Sequence, residues 1–187
     1  MNDPQPSLTY AEFLAFVADH PDEQYEYVQG RPVAMGRPST MHQRLAGEIF
    51  AALKAHLRGQ RCDVYFDVRV WIGSCDRVPD VAVTCDEYDI AEATNVIHSP
   101  KLVIEIVSPT RGDDLDLKIK QYESRPSIEE YIILDSRRRW LQRHWRTQPL
   151  TTFTTDPVRI AGSVILTSVN YMLDIDELYH LVRFDQR

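Results

Sequence analysis

Two short, strongly apolar runs each carry one acidic residue that their hydrophobic pattern does not call for. Asp80 opens the first run, which continues through Val81–Cys85, and Glu105 sits late in the second, inside Leu102–Val107. Both runs are rich in Val and Ile and bounded by Pro, Ser or Asp, the composition of strands. A carboxylate in a buried strand costs several kcal/mol unless something pairs with it. If the strands pair antiparallel, the start of one lies beside the end of the other, and the two carboxylates converge. Such oxygen sets suit hard divalent cations, and Mg²⁺ takes one or two carboxylates plus water and substrate phosphate. A helix with Lys118 and Lys120 is expected to follow, capped by Asp113 or Asp114 after Ser108–Thr110 ends the strand. Its inner stripe is Leu115, Ile119 and Tyr122. Lys118 borders that stripe and can reach a partly buried site past apolar neighbours.

Pro79-Asp80 followed by Glu105-Ile106-Val107 resembles the PD-(D/E)xK nuclease motif, with Val107 where the usual lysine stands. The ordered set of Tyr25–Gly30, Pro38–Arg44, Glu105–Thr110, Lys118–Tyr122 and Glu130–Asp135 resembles the Uma-type restriction endonuclease family, in which the lysine has moved to the following helix. The resemblance covers roughly Leu8 to Arg146. It implies an α/β fold with a restriction-endonuclease-like core, a mixed central β-sheet flanked by α-helices. It also implies a Mg²⁺- or Mn²⁺-dependent endonuclease acting on nucleic acid, with DNA as the expected substrate. The metal ligands it implies are Asp80, Glu105 and the main-chain carbonyl of Ile106, with Lys118 as the catalytic cation. Glu26, which alone would read as an exposed strand residue, is placed near the metal by the resemblance. His42 shares the inward face of its helix, and is a secondary candidate able to orient a phosphate or a carboxylate.

Two carboxylates also serve glycosidases, but the lysine favours phosphate chemistry. Ser108 lacks the glycines of a nucleophile elbow, and the cysteines lack a histidine partner. The rival reading is a nuclease-like fold that no longer cuts and acts as an oligomeric or nucleic-acid-binding module, since fold does not fix function.

The length of 187 residues suggests a single domain, residues 1–187. No apolar run approaches a membrane span, and no secretory signal is visible, so a cytoplasmic location is expected. Cys62, Cys75 and Cys85 form no CxxC pair and are odd in number, so free thiols are expected. The net charge of −7 argues against a general nucleic-acid coat. Residues 111–146, however, hold nine Lys and Arg against seven acids, so the basic residues favour the half with the candidate site.

Thr9 and Glu12 form a capping box for a helix over Tyr10–Ala18 that buries Phe13, Phe16 and Val17. Tyr25–Val28 and Arg31–Met35 read as strands joined by a Gln29-Gly30 turn. Ser39 caps a helix over Thr40–Arg58 with Leu45, Ile49, Ala52, Leu53 and His56 along one stripe. Cys62–Ile72 alternates throughout and reads as one strand of the central sheet, with Asp67 and Arg69 sharing its polar face and free to pair. Asp86–Pro100 is a long connection, with a helical turn over Glu87–Ala93. Tyr131–Leu134 reads as an interior strand, Arg139–Arg146 as an alternating one, and Thr151–Thr154 and Val164–Leu166 as further strands. Asp174 opens a short closing helix. The aromatic surface near Trp140–Trp145 and in the C-terminal segment suggests a homodimer.

Overall fold

A computed structural model describes residues 7–91, 96–107, 115–180 and 182. In chain order the elements are α1 (Tyr10–Ala18), β1 (Tyr25–Val28), β2 (Arg31–Ala34), α2 (Thr40–His56), β3 (Asp63–Phe66) and β4 (Arg69–Trp71). Then come β5 (Asp76–Arg77), β6 (Val81–Thr84), α3 (Glu87–Ala91), β7 (Val96–Ile97), β8 (Pro100–Val107) and α4 (Leu115–Ser124). The chain continues with β9 (Glu130–Asp135), β10 (Leu141–Trp145), β11 (Thr154–Thr155), β12 (Ser163–Leu166), β13 (Tyr171–Asp174) and α5 (Ile175–Leu178).

The central sheet is mixed and runs β11-β10-β9-β8-β6-β3. Among the described residues, β8 and β9 are its one parallel pair, and α4 forms the crossover that parallel neighbours require. Alternation along the strands then sorts side chains to two faces. Val81, Val83, Leu102, Ile104, Ile106, Ile132 and Leu134 pack against Leu45, Ile49 and Leu53 of α2, and against α5 and the β12–β13 hairpin. Ala82, Val103, Tyr131 and Ile133 face the other way and pack with Tyr122 of α4 and with Val70 and Ile97 of a second sheet, ordered β2-β1-β5-β4-β7.

The capping box at Thr9 and Glu12 is present, and α1 buries Phe13 fully, while Phe16 and Val17 are only half-buried. Gln29 and Gly30 both take positive φ, 50° and 77°, as a two-residue hairpin turn demands. A side chain at Gly30 would strike the Ser7 hydroxyl 1.8 Å away. Ser39 caps α2 by accepting from the His42 N–H.

The expected strand over Cys62–Ile72 is two strands in two sheets. Asp67 sits between them with φ +48°, a conformation that Asp tolerates better than most residues because its short polar side chain bonds locally. The chain turns there, so β3 pairs with β6 in the central sheet while β4 pairs with β5 and β7 in the other. Phe66 is left 43 % exposed instead of sharing a buried face with Val70. Arg69 reaches Asp76 at 2.8 Å, an ion pair not expected from the sequence.

The expectation of free thiols is also corrected. Asp63 pairs with Thr84 in the β3–β6 register, so Cys62 and Cys85, one step further out, face each other and form a disulfide. Their 23-residue separation carries no sign of this, because cross-strand register sets the contact. Cys75 remains a thiol and is buried. The expected strand break at Ser108–Thr110 and cap at Asp113 or Asp114 lie outside the described residues.

Candidate active site

β8 places the first group. Ile104 and Ile106 point to the α2 side, so Glu105 between them points to the α4 side. Lys118 and Tyr122 are four residues apart and lie on one face of α4. Both meet Glu105: Lys118 Nζ donates to Oε2 at 2.6 Å and the Tyr122 hydroxyl to Oε1 at 2.7 Å. All three residues are buried. Burial, and then the neighbouring Glu105 carboxylate, hold the Tyr122 phenol well above its ordinary range, so it is a hydrogen-bond donor at any physiological pH.

Asp80 is the second group. Val81 pairs with Ile104 in antiparallel register, so Asp80, one residue earlier, falls opposite Glu105, one residue later. Beyond the end of β6 its carboxylate takes over from the ladder: Oδ2 accepts the Ile106 N–H at 2.7 Å. Oδ1 lies 2.5 Å from His42 Nε2. The Asp80 main-chain carbonyl accepts the Asp67 N–H at 3.2 Å, so the turn in the chain is tied to the site. Asp80 is thus gripped from α2 and the Ile106 amide, and Glu105 from α4.

Asp80, His42, Asp67, Ile106, Ser39 and Arg37 line an open cleft of about 260 Å³. The N-terminus of α2 borders it, and Arg37 supplies an exposed cation at the rim. Glu105 and Lys118 are buried and are not among the residues lining the cleft.

Glu26 on β1 is buried, and both its oxygens are engaged. Oε2 accepts Arg77 Nη1 at 2.6 Å and Oε1 accepts the Val78 N–H at 3.1 Å. The remaining donors of Arg77, Nε and Nη2, both reach Gln121 Oε1 on α4, at 2.9 and 2.5 Å. Arg77 and Gln121 do not emerge from sequence reasoning. The available signal was a cation beside the apolar run that holds Asp80, as out of place there as the aspartate itself. Tyr122 was legible only as a core residue, although its i+4 spacing from Lys118 points it at the same carboxylate.

No group of three or more His, Cys, Asp or Glu poised to hold a metal occurs among the described residues. The donor set the sequence singles out still fits a hard cation: two carboxylates and the Ile106 carbonyl are all oxygen. In an extended strand a residue's N–H and C=O point to the same side. The Ile106 N–H is directed at Asp80, and its carbonyl therefore emerges along that edge as well.

A mixed sheet with a parallel β–α–β unit and two acids at adjoining strand ends defines a nuclease-like α/β protein. The chain belongs to the Uma2 family, described as putative restriction endonucleases, whose family model matches residues 10–169. It is 31 % identical over 137 residues to the uncharacterized protein slr1290 of Synechocystis sp., covering 71 % of each chain. It also resembles the crystal structure of a putative nuclease belonging to DUF820 from Anabaena variabilis. That likeness, with TM-score 0.70 and 17 % identity over 87 % of this chain and 93 % of the other, establishes the fold. Among the described residues no helix is long and apolar enough to cross a membrane.

Proposed function

We propose that the chain hydrolyses phosphodiester bonds of nucleic acid, DNA in particular, with a divalent cation, Mg²⁺ or Mn²⁺. One observation carries this reading: the antiparallel β6–β8 register sets Asp80 opposite Glu105, and Glu105 holds a buried lysine. Asp80, Glu105 and the Ile106 carbonyl would hold the cation, which would supply Lewis-acid polarisation of a phosphoryl oxygen and of water. Lys118 offsets negative charge growing on the phosphoryl group in the transition state. Tyr122 fixes the rotamer of Glu105, and His42 fixes that of Asp80. Arg37 and the exposed N-terminus of α2 present positive potential to a phosphate entering the cleft.

A single domain, a homodimer and a cytoplasmic location, where such a substrate would be met, belong to the same proposal. For the dimer, light scattering at micromolar concentration gives the check, and a monomer there counts against it. Trp140 and Trp145 are half-buried and covered by Arg138 and Arg143, which reduces the aromatic surface first assigned to that contact.

Both oxygens of Glu26, Asp80 and Glu105 are engaged, and there is no three-ligand cluster among the described residues; these observations favour a second reading, a nuclease-like module that does not cut. Calorimetry with Mg²⁺ and Mn²⁺ separates the two, since an intact centre binds at least one of them. The deciding experiment incubates plasmid and oligonucleotides with the protein in each metal, beside Asp80→Asn. A folded Asp80→Asn protein that cleaves at the wild-type rate overturns the nuclease proposal.

A further inference from the structure

Arg77 occupies a position that the two carboxylates and the lysine do not explain. It lies on β5, three residues before Asp80, and is 5 % exposed. Its guanidinium spans two elements of different origin: Glu26 on β1 and Gln121 on α4. Gln121 is adjacent in sequence to Tyr122 and three residues after Lys118, the two residues that hold Glu105. Glu26, for its part, spends both oxygens on Arg77 and on the Val78 amide, the residue between Arg77 and Pro79-Asp80. Two buried ion pairs, Glu26–Arg77 and Glu105–Lys118, thus flank α4, and Gln121 of α4 joins the first of them to the helix that carries the second. An arginine suits this place because its planar fork donates in two directions at once, which an ammonium cannot do with fixed geometry.

We propose that Arg77 is a positioning residue of the site, holding α4 in register so that Lys118 and Tyr122 meet Glu105, and that Glu26 acts through Arg77 and not as a metal ligand. The proposal rests on the nuclease reading for its catalytic consequence and on the hydrogen-bond network alone for its structural one. Both consequences are measurable, and separately.

The structural test is hydrogen–deuterium exchange over α4 in wild type, Arg77→Met and Arg77→Lys, which requires no substrate. Both variants are expected to exchange faster at the α4 amides while β8 and β9 stay protected. Arg77→Lys keeps a charge beside Glu26 and serves if Arg77→Met does not fold. Wild-type exchange at α4 in a folded Arg77→Lys protein overturns the positioning role.

The second test is calorimetric titration of Glu26→Gln with Mn²⁺, beside Asp80→Asn. Affinity in Glu26→Gln is expected within about threefold of wild type, whereas Asp80→Asn loses binding. Loss of binding in Glu26→Gln makes Glu26 a ligand and overturns the proposal. In cleavage assays Arg77→Met and Glu26→Gln should each lower kcat about 10- to 100-fold, the range for residues that orient first ligands, with KM unchanged. The double variant should be no slower than the worse single one, because the pair acts as a unit. Fully multiplied effects count against the pair. A wild-type protein that neither binds metal nor cleaves defeats the nuclease reading and leaves the exchange experiment to decide on Arg77.

Discussion

The backbone N–H of Ile106 donates to Asp80 Oδ2 at 2.7 Å while His42 Nε2 stands 2.5 Å from Oδ1 of the same carboxylate. Asp80 is therefore held in one rotamer from both sides, at the mouth of the cleft and opposite Glu105. Its carboxylate is oriented before any ligand arrives, and this is the property a cation site needs.

His42→Ala removes one of the two restraints. Metal affinity or turnover should fall about 10- to 100-fold, as when a residue that orients a ligand is lost. Calorimetry with Mn²⁺ measures the first and plasmid cleavage the second. If both stay at wild-type level, His42 does no more than fill space.

Lys118→Ala strips a buried carboxylate of its counter-ion. Breaking a buried pair from one side costs about 3–5 kcal/mol, so the denaturation midpoint in urea should drop clearly. Under the nuclease proposal, metal affinity survives and turnover does not, because the lysine is not a ligand. Added Mn²⁺ should then return part of the lost stability, since the cation compensates the bare Glu105. A variant as stable as wild type without metal contradicts the buried pairing.

Tyr122 predicts an alkaline limit. Below its ordinary value of 10.0 the phenol is protonated in both folded and unfolded chains, and contributes no pH dependence. Above that value the unfolded chain ionises, while burial and Glu105 keep the folded phenol neutral. The folded state then binds more protons, so stability falls as pH rises, by about 1.4 kcal/mol per pH unit for this one group. Urea titrations between pH 9 and 11 should show the fall, and Tyr122→Phe should make it shallower.

Arg146 clamps the end of α4. Its guanidinium donates to the carbonyls of Ile128, Glu123, Arg125 and Thr151, and it stacks over Phe153. Arg146→Lys cannot reproduce this fork and leaves buried carbonyls unpaired at about 1–3 kcal/mol each. A thermal melt several degrees lower is expected. An unchanged melt shows the clamp to be dispensable.

The Cys62–Cys85 bond predicts thiol counts. Denatured without reductant, the chain should titrate one thiol, from Cys75, and after reduction three. Closing 23 residues is worth about 3 kcal/mol in a chain-entropy account, so reduction should lower the melting temperature. Three thiols without reductant would show that the bond does not form in the prepared protein.

How much of this was legible follows from the range of each interaction. The box at Thr9 and Glu12, the Gln29-Gly30 turn and the face shared by Lys118 and Tyr122 are local, and the sequence displays them directly. The parallel pairing of β8 and β9 follows from the helix between them. Asp67 defeated the pattern because alternation from Val64 to Ile72 continues unbroken across a residue whose backbone reverses. The Arg77 bridge and the disulfide escaped for a different reason. Each joins residues set side by side by sheet order, and no local spacing encodes that order.

The contacts of the site close chain segments of unequal length. Lys118 and Tyr122 reach Glu105 across 13 and 17 residues, whereas His42 reaches Asp80 across 38, and Arg77 reaches Glu26 across 51. Each doubling of a loop adds only about 0.6 kcal/mol of closure entropy, but non-local pairings form more slowly than local ones. The glutamate–lysine half can therefore assemble within a single strand–helix unit, while the aspartate half waits for α2 and the second sheet to dock. A chain caught between these events holds half a site. Under the nuclease proposal, cleavage would require both halves to be in place.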